Sequence, residues 1–130
     1  MIKAFEILVP DEKIELLHRK IDLTRWPDEV NDERWTLGAK KSYLEGAVET
    51  WRNGFDWRKH EAKLNEAGSF KFKTESGLEL HYLHKKSGSK NAIPLLLTHG
   101  WPGSVQEFLK ITPLLLNGKD GIEFDVVCPA

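Results

Sequence analysis

The chain has 130 residues, one domain's worth, and its 19 lysines and arginines are nearly matched by 20 aspartates and glutamates, leaving a net charge of −1. That balance excludes an obvious nucleic-acid face, because no basic stripe runs along the sequence, and short pairs such as Arg58-Lys59 and Lys85-Lys86 read as solvated surface. One cysteine, Cys128, excludes an internal disulfide and fits a reducing compartment. No apolar run approaches the roughly 20 residues needed to cross a bilayer. The opening Met1–Glu6 lacks the apolar core of a signal peptide, so the chain reads as soluble and cytoplasmic, with no membrane contact.

Residues 3 to 9 form a short extended segment ending at Pro10. Asp11 is the expected N-cap of a helix whose apolar positions Ile14, Leu17 and Ile21 recur at helical spacing. Asp22 to Leu37 reads as irregular, and Gly38 lets the chain enter a second helix. There Tyr43, Leu44, Ala47, Val48 and Trp51 line one face. Gly54 ends that helix as a C′ residue would, and Asp56 caps another from Trp57 to about Asn65, stopped by Gly68. The five tryptophans could stack on a ligand, but at helical spacing or in loops around a core they read as packing groups.

From Ser69 the period changes to two. Phe70, Phe72 and Thr74 alternate with Lys71 and Lys73, and Leu78, Leu80 and Tyr82 alternate with Glu79 and His81. Glu75-Ser76-Gly77 between them makes a hairpin turn. Lys85 to Asn91 reads as a flexible polar loop. A buried strand follows from Pro94 or Leu95 to Thr98, then a helix from Val105 that Pro113 breaks or kinks. Asn117 to Gly121 is a turn cluster, and Ile122 to Cys128 a second buried strand. Cys128 sits in the apolar run Val126-Val127-Cys128, so it reads as a packed thiol rather than a nucleophile.

The most informative string is Leu95-Leu96-Leu97-Thr98-His99-Gly100-Trp101-Pro102-Gly103-Ser104. It predicts a strand covered on both faces, stopping at a tight turn that feeds a helix. Gly100 and Gly103 allow the sharp turn, and Pro102 has no N–H, leaving Trp101 and Gly103 as the donors. Ser104 and Glu107 have capping-box spacing. Such a turn can aim backbone N–H groups at negative charge developing on a substrate oxygen.

His99-Gly100-Trp101-Pro102-Gly103-Ser104 resembles the oxyanion-hole motif of the α/β-hydrolase epoxide hydrolases, in the branch that includes the microsomal enzymes. Arg25-Trp26-Pro27, Trp51 ahead of Phe55-Asp56-Trp57-Arg58, and Glu61 through Leu64-Asn65 resemble the N-terminal region of that branch. The resemblance implies an α/β fold, with an N-terminal helical meander (1–68) followed by the opening part of an α/β-hydrolase core (69–130). That core part is a hairpin and a strand–helix–strand, and its sheet is incomplete. It also places the strand at 122–128 between the hairpin and the strand at 95–98, and suggests a cis Trp101–Pro102 bond.

The chemistry implied is addition of water to an epoxide through an ester with an aspartate nucleophile. Two lid tyrosines protonate the epoxide oxygen, and a histidine oriented by an acidic residue activates water to cleave the ester. Backbone N–H groups stabilise the oxyanion of that second step, and the residue match assigns one of them to Trp101. His99, Gly100, Pro102 and Gly103 then shape and support the turn, with His99 holding it rather than acting as the base. The resemblance places the nucleophile on a strand beyond 122–128, and neither it, the catalytic histidine nor the lid tyrosines match a residue here. Tyr43 and Tyr82 fall in the meander and the hairpin. His81 and His84 point to opposite faces of a strand, so no metal site is expected, and no cofactor is implied.

The favoured reading is the N-terminal portion of an epoxide hydrolase, inactive alone. The alternative is a catalytically inert structural or interaction module derived from such an enzyme. A related esterase or dehalogenase is disfavoured by the Trp-rich N-terminal segment. A small-molecule epoxide is the expected partner only once the core and lid are completed. The strand at 95–98 would meanwhile leave an open apolar edge, which predicts a homo-oligomer.

Overall fold

The computed structural model describes residues 1–30 and 35–130. By their contacts these fall into two compact units, Met1–Leu8 with Arg58–Ala130 and, separately, Val9–Trp57. The first strand and most of the third helix thus group with the sheet.

The first unit is built on one mixed sheet of β1 (Ile2–Ala4), β2 (Ser69–Lys73), β3 (Glu79–Lys85), β4 (Ile93–Leu96) and β5 (Phe124–Pro129). The strand order is β1-β2-β3-β5-β4. β2 and β3 form the expected antiparallel hairpin, with Phe70 opposite Tyr82 and Phe72 opposite Leu80. The extended start of the chain does more than run alongside. Ile2 pairs with Phe72 and Ala4 with Phe70, so β1 is an edge strand. β5 lies antiparallel to β3 and parallel to β4, with Leu83 and Leu95 as partners of Cys128 and Val126 respectively. The order predicted for these strands is the order found.

That central position explains the core. Val126 is 1% exposed and Cys128 2%, and Leu64, Leu83 and Val105 close around them. Burial pushes the Cys128 thiol up from its ordinary value, so the thiolate is disfavoured and the residue is a packing group.

Three expectations for this unit change. β4 starts and ends earlier than the hydropathy suggested, and it is not buried: Leu96 is 62% exposed. Apolar sequence marks a face that can be covered, but the neighbour that covers it is a non-local matter. The segment from Val105 is a 3-10 turn ending at Phe108, and Pro113 opens the short helix α4 (Thr112–Leu116) instead of breaking one. Proline suits a first helical turn, where its missing N–H would have had no partner. The polar loop after β3 is tied down, since the Ser87 N–H donates to the Asp125 carboxylate at 2.9 Å.

α3 (Trp57–Glu66) ends where Gly68 turns back with φ +80°. A Cβ there would run into the carbonyl oxygen of His84, whose own N–H donates to Gly68 at 2.8 Å. Both the left-handed backbone and the close approach therefore require glycine. Gly68→Ala is expected to destabilise the unit by about 2–4 kcal/mol. Urea unfolding checks this, as a lowered midpoint with an unchanged slope.

The second unit carries α1 (Asp11–Asp22) and α2 (Lys41–Gly54). Pro10 occupies the N-cap position of α1 with no side-chain bond, so Asp11 is instead the first acidic residue inside the helix, near its positive end. Gly54 stays helical and Phe55 is the cap. Arg52 grips Asp22 through two bonds, at 2.7 and 3.2 Å, and holds its carboxyl below the ordinary value. Ile14 and Leu17 of α1 face Trp51, Phe55 and Trp57 across an apolar groove of about 400 Å³. The irregular stretch expected over Asp22–Leu37 includes residues 31–34, which lie outside the described residues.

Candidate active-site turn

The Leu97 N–H donates to Val127 at 2.9 Å, the last bond β4's strand makes before the chain leaves the sheet. The backbone then turns through Thr98–Gly103. Within this turn the Gly103 N–H donates to the Gly100 carbonyl at 2.6 Å, and the His99 ring Nδ1 lies 3.2 Å from the same oxygen. An acceptor carbonyl requires Nδ1 to carry the proton, so the His99 ring donates within the turn. The Trp101–Pro102 bond is cis, as the resemblance suggested.

Downstream the turn is locked by the predicted capping box. The Ser104 hydroxyl accepts from the Gln106 N–H at 3.3 Å, and the Glu107 carboxylate accepts from the Ser104 N–H at 3.1 Å. Glu107 folds back so closely that a Cβ on Gly103 would collide with its carboxylate and sit 2.8 Å from the Gly100 oxygen. Gly103 is thus fixed by space rather than by backbone angle.

The donor inventory is narrower than the sequence implied. Gly103 and Trp101 both carry an N–H, but that of Gly103 is spent inside the turn. Among the described residues, the Trp101 N–H has no acceptor. The Trp101 side chain is 96% exposed, so the packing role read for the tryptophans fails at this one. Its indole leaves the turn without a wall of its own.

The other candidates lie elsewhere. Tyr82 is a buried β3 residue stacked on Phe70 at 5.7 Å, and Tyr43 on α2 meets Trp35 edge-on at 5.1 Å. His81 Nε2 lies 2.7 Å from the Ser69 hydroxyl, a pairing the sequence did not reveal, because it depends on cross-strand register. Among the described residues no cluster of three His, Cys, Asp or Glu side chains is placed to hold a metal ion. Nor, among the described residues, is any helix long and apolar enough to cross a membrane.

The chain matches the family model described as "Epoxide hydrolase N terminus" over residues 2–108. A Stigmatella aurantiaca protein assigned as an epoxide hydrolase is 43% identical over 99% of this chain and 30% of its own length. Epoxide hydrolase 1 of Sus scrofa is 40% identical over the same shares. Among solved structures, Aspergillus niger epoxide hydrolase superposes with a TM-score of 0.87 at 30% identity, over 100% of this chain and 35% of that one. The five-stranded sheet with its helices therefore corresponds to the N-terminal part of an α/β-hydrolase, and the sheet is incomplete. The chain spans about 30% of the length of the curated relatives it matches. With a family model covering most of its length and the turn in place, the chain belongs to the epoxide hydrolase N-terminus family.

Proposed function

We propose that this chain serves as the N-terminal portion of an epoxide hydrolase, which adds water to an epoxide through an ester intermediate to give a vicinal diol. Its chemical contribution is one oxyanion donor, the Trp101 N–H, in a turn held by His99, Gly100, Pro102, Gly103 and the capping box. The observation that carries this reading is that, of the two donors flanking Pro102, the Trp101 N–H is the one left unspent, in the turn that follows β4. An exposed N–H whose position is fixed by its neighbours needs no reorganisation when charge develops nearby, which is what makes such a donor effective. A small-molecule epoxide is the substrate class, no cofactor takes part, and a cytoplasmic setting fits the single buried thiol. Copies of the isolated chain associate through the open edge of β4.

One donor cannot replace a nucleophile and a base. The isolated 130 residues are therefore expected to show no hydrolysis of styrene oxide, whereas a fusion to the remaining 70% or so of the Stigmatella aurantiaca relative is expected to turn it over. Turnover by the pure chain, abolished by mutations in the Trp101-Pro102 turn, would overturn the reading, as would a folded but inactive fusion.

A further inference from the structure

The β1–β2–β3 end of the sheet brings together charges that lie far apart in sequence. Register places Lys3 of β1 directly opposite Lys71 of β2. Like charges facing each other across strands are destabilising. Lys73 stands two residues on, on the same face, because side chains on a strand repeat with a period of two. Glu79 is opposite Lys73 and reaches Lys71 at 3.7 Å, so among the described residues this one carboxylate serves three ammonium groups. The four side chains, with Met1 and Thr74, line a hollow of about 380 Å³. That volume is within the range of small-ligand sites.

The hollow's base is held in place. Lys71 lies 4.1 Å over the Phe5 ring, and Phe5 meets His81 edge-on at 5.6 Å. His81, opposite Lys71, bonds to the buried Ser69 hydroxyl at 2.7 Å. Lys3 and Lys73 are exposed at the rim. A solvated edge would tolerate one lysine as protection against strand pairing. It gives no reason to oppose a second lysine to it and add a third alongside.

We propose that the Lys3–Lys71–Lys73 hollow is a binding site for a compact dianion of the phosphate-monoester or sulfate type. With Glu79 counted, the three lysines leave two positive charges, and the terminal ammonium of Met1, which also lines the hollow, adds a third. That excess favours a dianion over a monoanion, and lysine binds such groups as a point charge without needing planar geometry. The ion lowers the Lys3–Lys71 repulsion and so stabilises the folded chain by linkage. It also acts on His81, whose protonation burial and the Lys71 charge oppose. A dianion beside Lys71 offsets that charge, so its binding raises the His81 pKa. Reciprocally, the site binds more tightly as pH falls through that pKa.

The test is a titration of the full 130-residue chain with sulfate, followed by NMR of the His81 ring and by thermal unfolding, against sodium chloride of equal ionic strength. Sulfate keeps its charge across the pH range, which inorganic phosphate does not. Sulfate is expected to raise both the His81 pKa and the melting temperature. Lys3→Gln with Lys73→Gln is expected to weaken binding by roughly tenfold or more, while melting no lower than the wild type without sulfate. Inorganic phosphate and vesicles containing phosphatidate distinguish a free dianion from a lipid headgroup: binding to phosphate alone assigns the former, and binding to vesicles at least as tight assigns the latter. Equal responses to sulfate and chloride, or an undiminished response in the double variant, would overturn the site.

Discussion

Replacing Trp101 by proline in the active fusion is expected to lower kcat by about 10²–10³-fold, roughly 3 kcal/mol of transition-state stabilisation. Proline deletes the N–H and leaves the carbonyl, so the substitution removes the unspent donor at position 101. The loss should fall on a single step. On the proposed mechanism, opening the epoxide places its negative charge on the oxygen that the lid protonates, whereas ester cleavage creates the oxyanion assigned to this donor. The covalent ester is therefore expected to form at near its normal rate and then accumulate, which mass spectrometry of the quenched enzyme detects. Trp101→Phe keeps the N–H and exchanges only a side chain that stands 96% exposed, so it should stay close to wild type. Equal losses in the two variants, or no trapped ester in Trp101→Pro, would remove Trp101 from the oxyanion site.

In sedimentation, the isolated chain is expected to be a dimer or larger at micromolar concentration. β4 pairs with β5 on one side only and closes the strand order on that flank. Its other backbone groups face outward, beside Ile93 at 49% exposure and Leu96 at 62%. Ile111 and Leu114, in the crossover from β4 to β5, are also exposed, at 45% and 72%. Pro94 removes one donor from the edge and so blunts it, but the apolar side chains on either side still reward contact. Leu96→Lys places a charge on that edge and is expected to weaken association at least tenfold, about 1.4 kcal/mol, without unfolding a residue already in solvent. In the fusion the same edge is expected to be occupied by the following strand, and association through it should disappear. A stable monomer at high micromolar concentration with reversible unfolding would show that the edge does not template pairing.

Local rules accounted for much of what is found here. The period of two from Ser69 specified the β2–β3 hairpin, because alternating side chains can bury one face only in that conformation. The Ser104–Glu107 spacing specified the capping box, which needs only atoms three residues apart. The string from His99 to Ser104 specified the turn and, with the Trp-rich segments before it, the family. Four features were decided by the tertiary structure. β1 joined the sheet because Ile2 and Ala4 found partners about 70 residues away. β4 stayed exposed, although its sequence is apolar, because burial belongs to a neighbour and not to a residue. The Gly103 N–H closed on Gly100, which left Trp101 as the unspent one of the two donors read beside Pro102. Lys3 met Lys71 because register, set by backbone hydrogen bonds between distant segments, decides which charges must share a face.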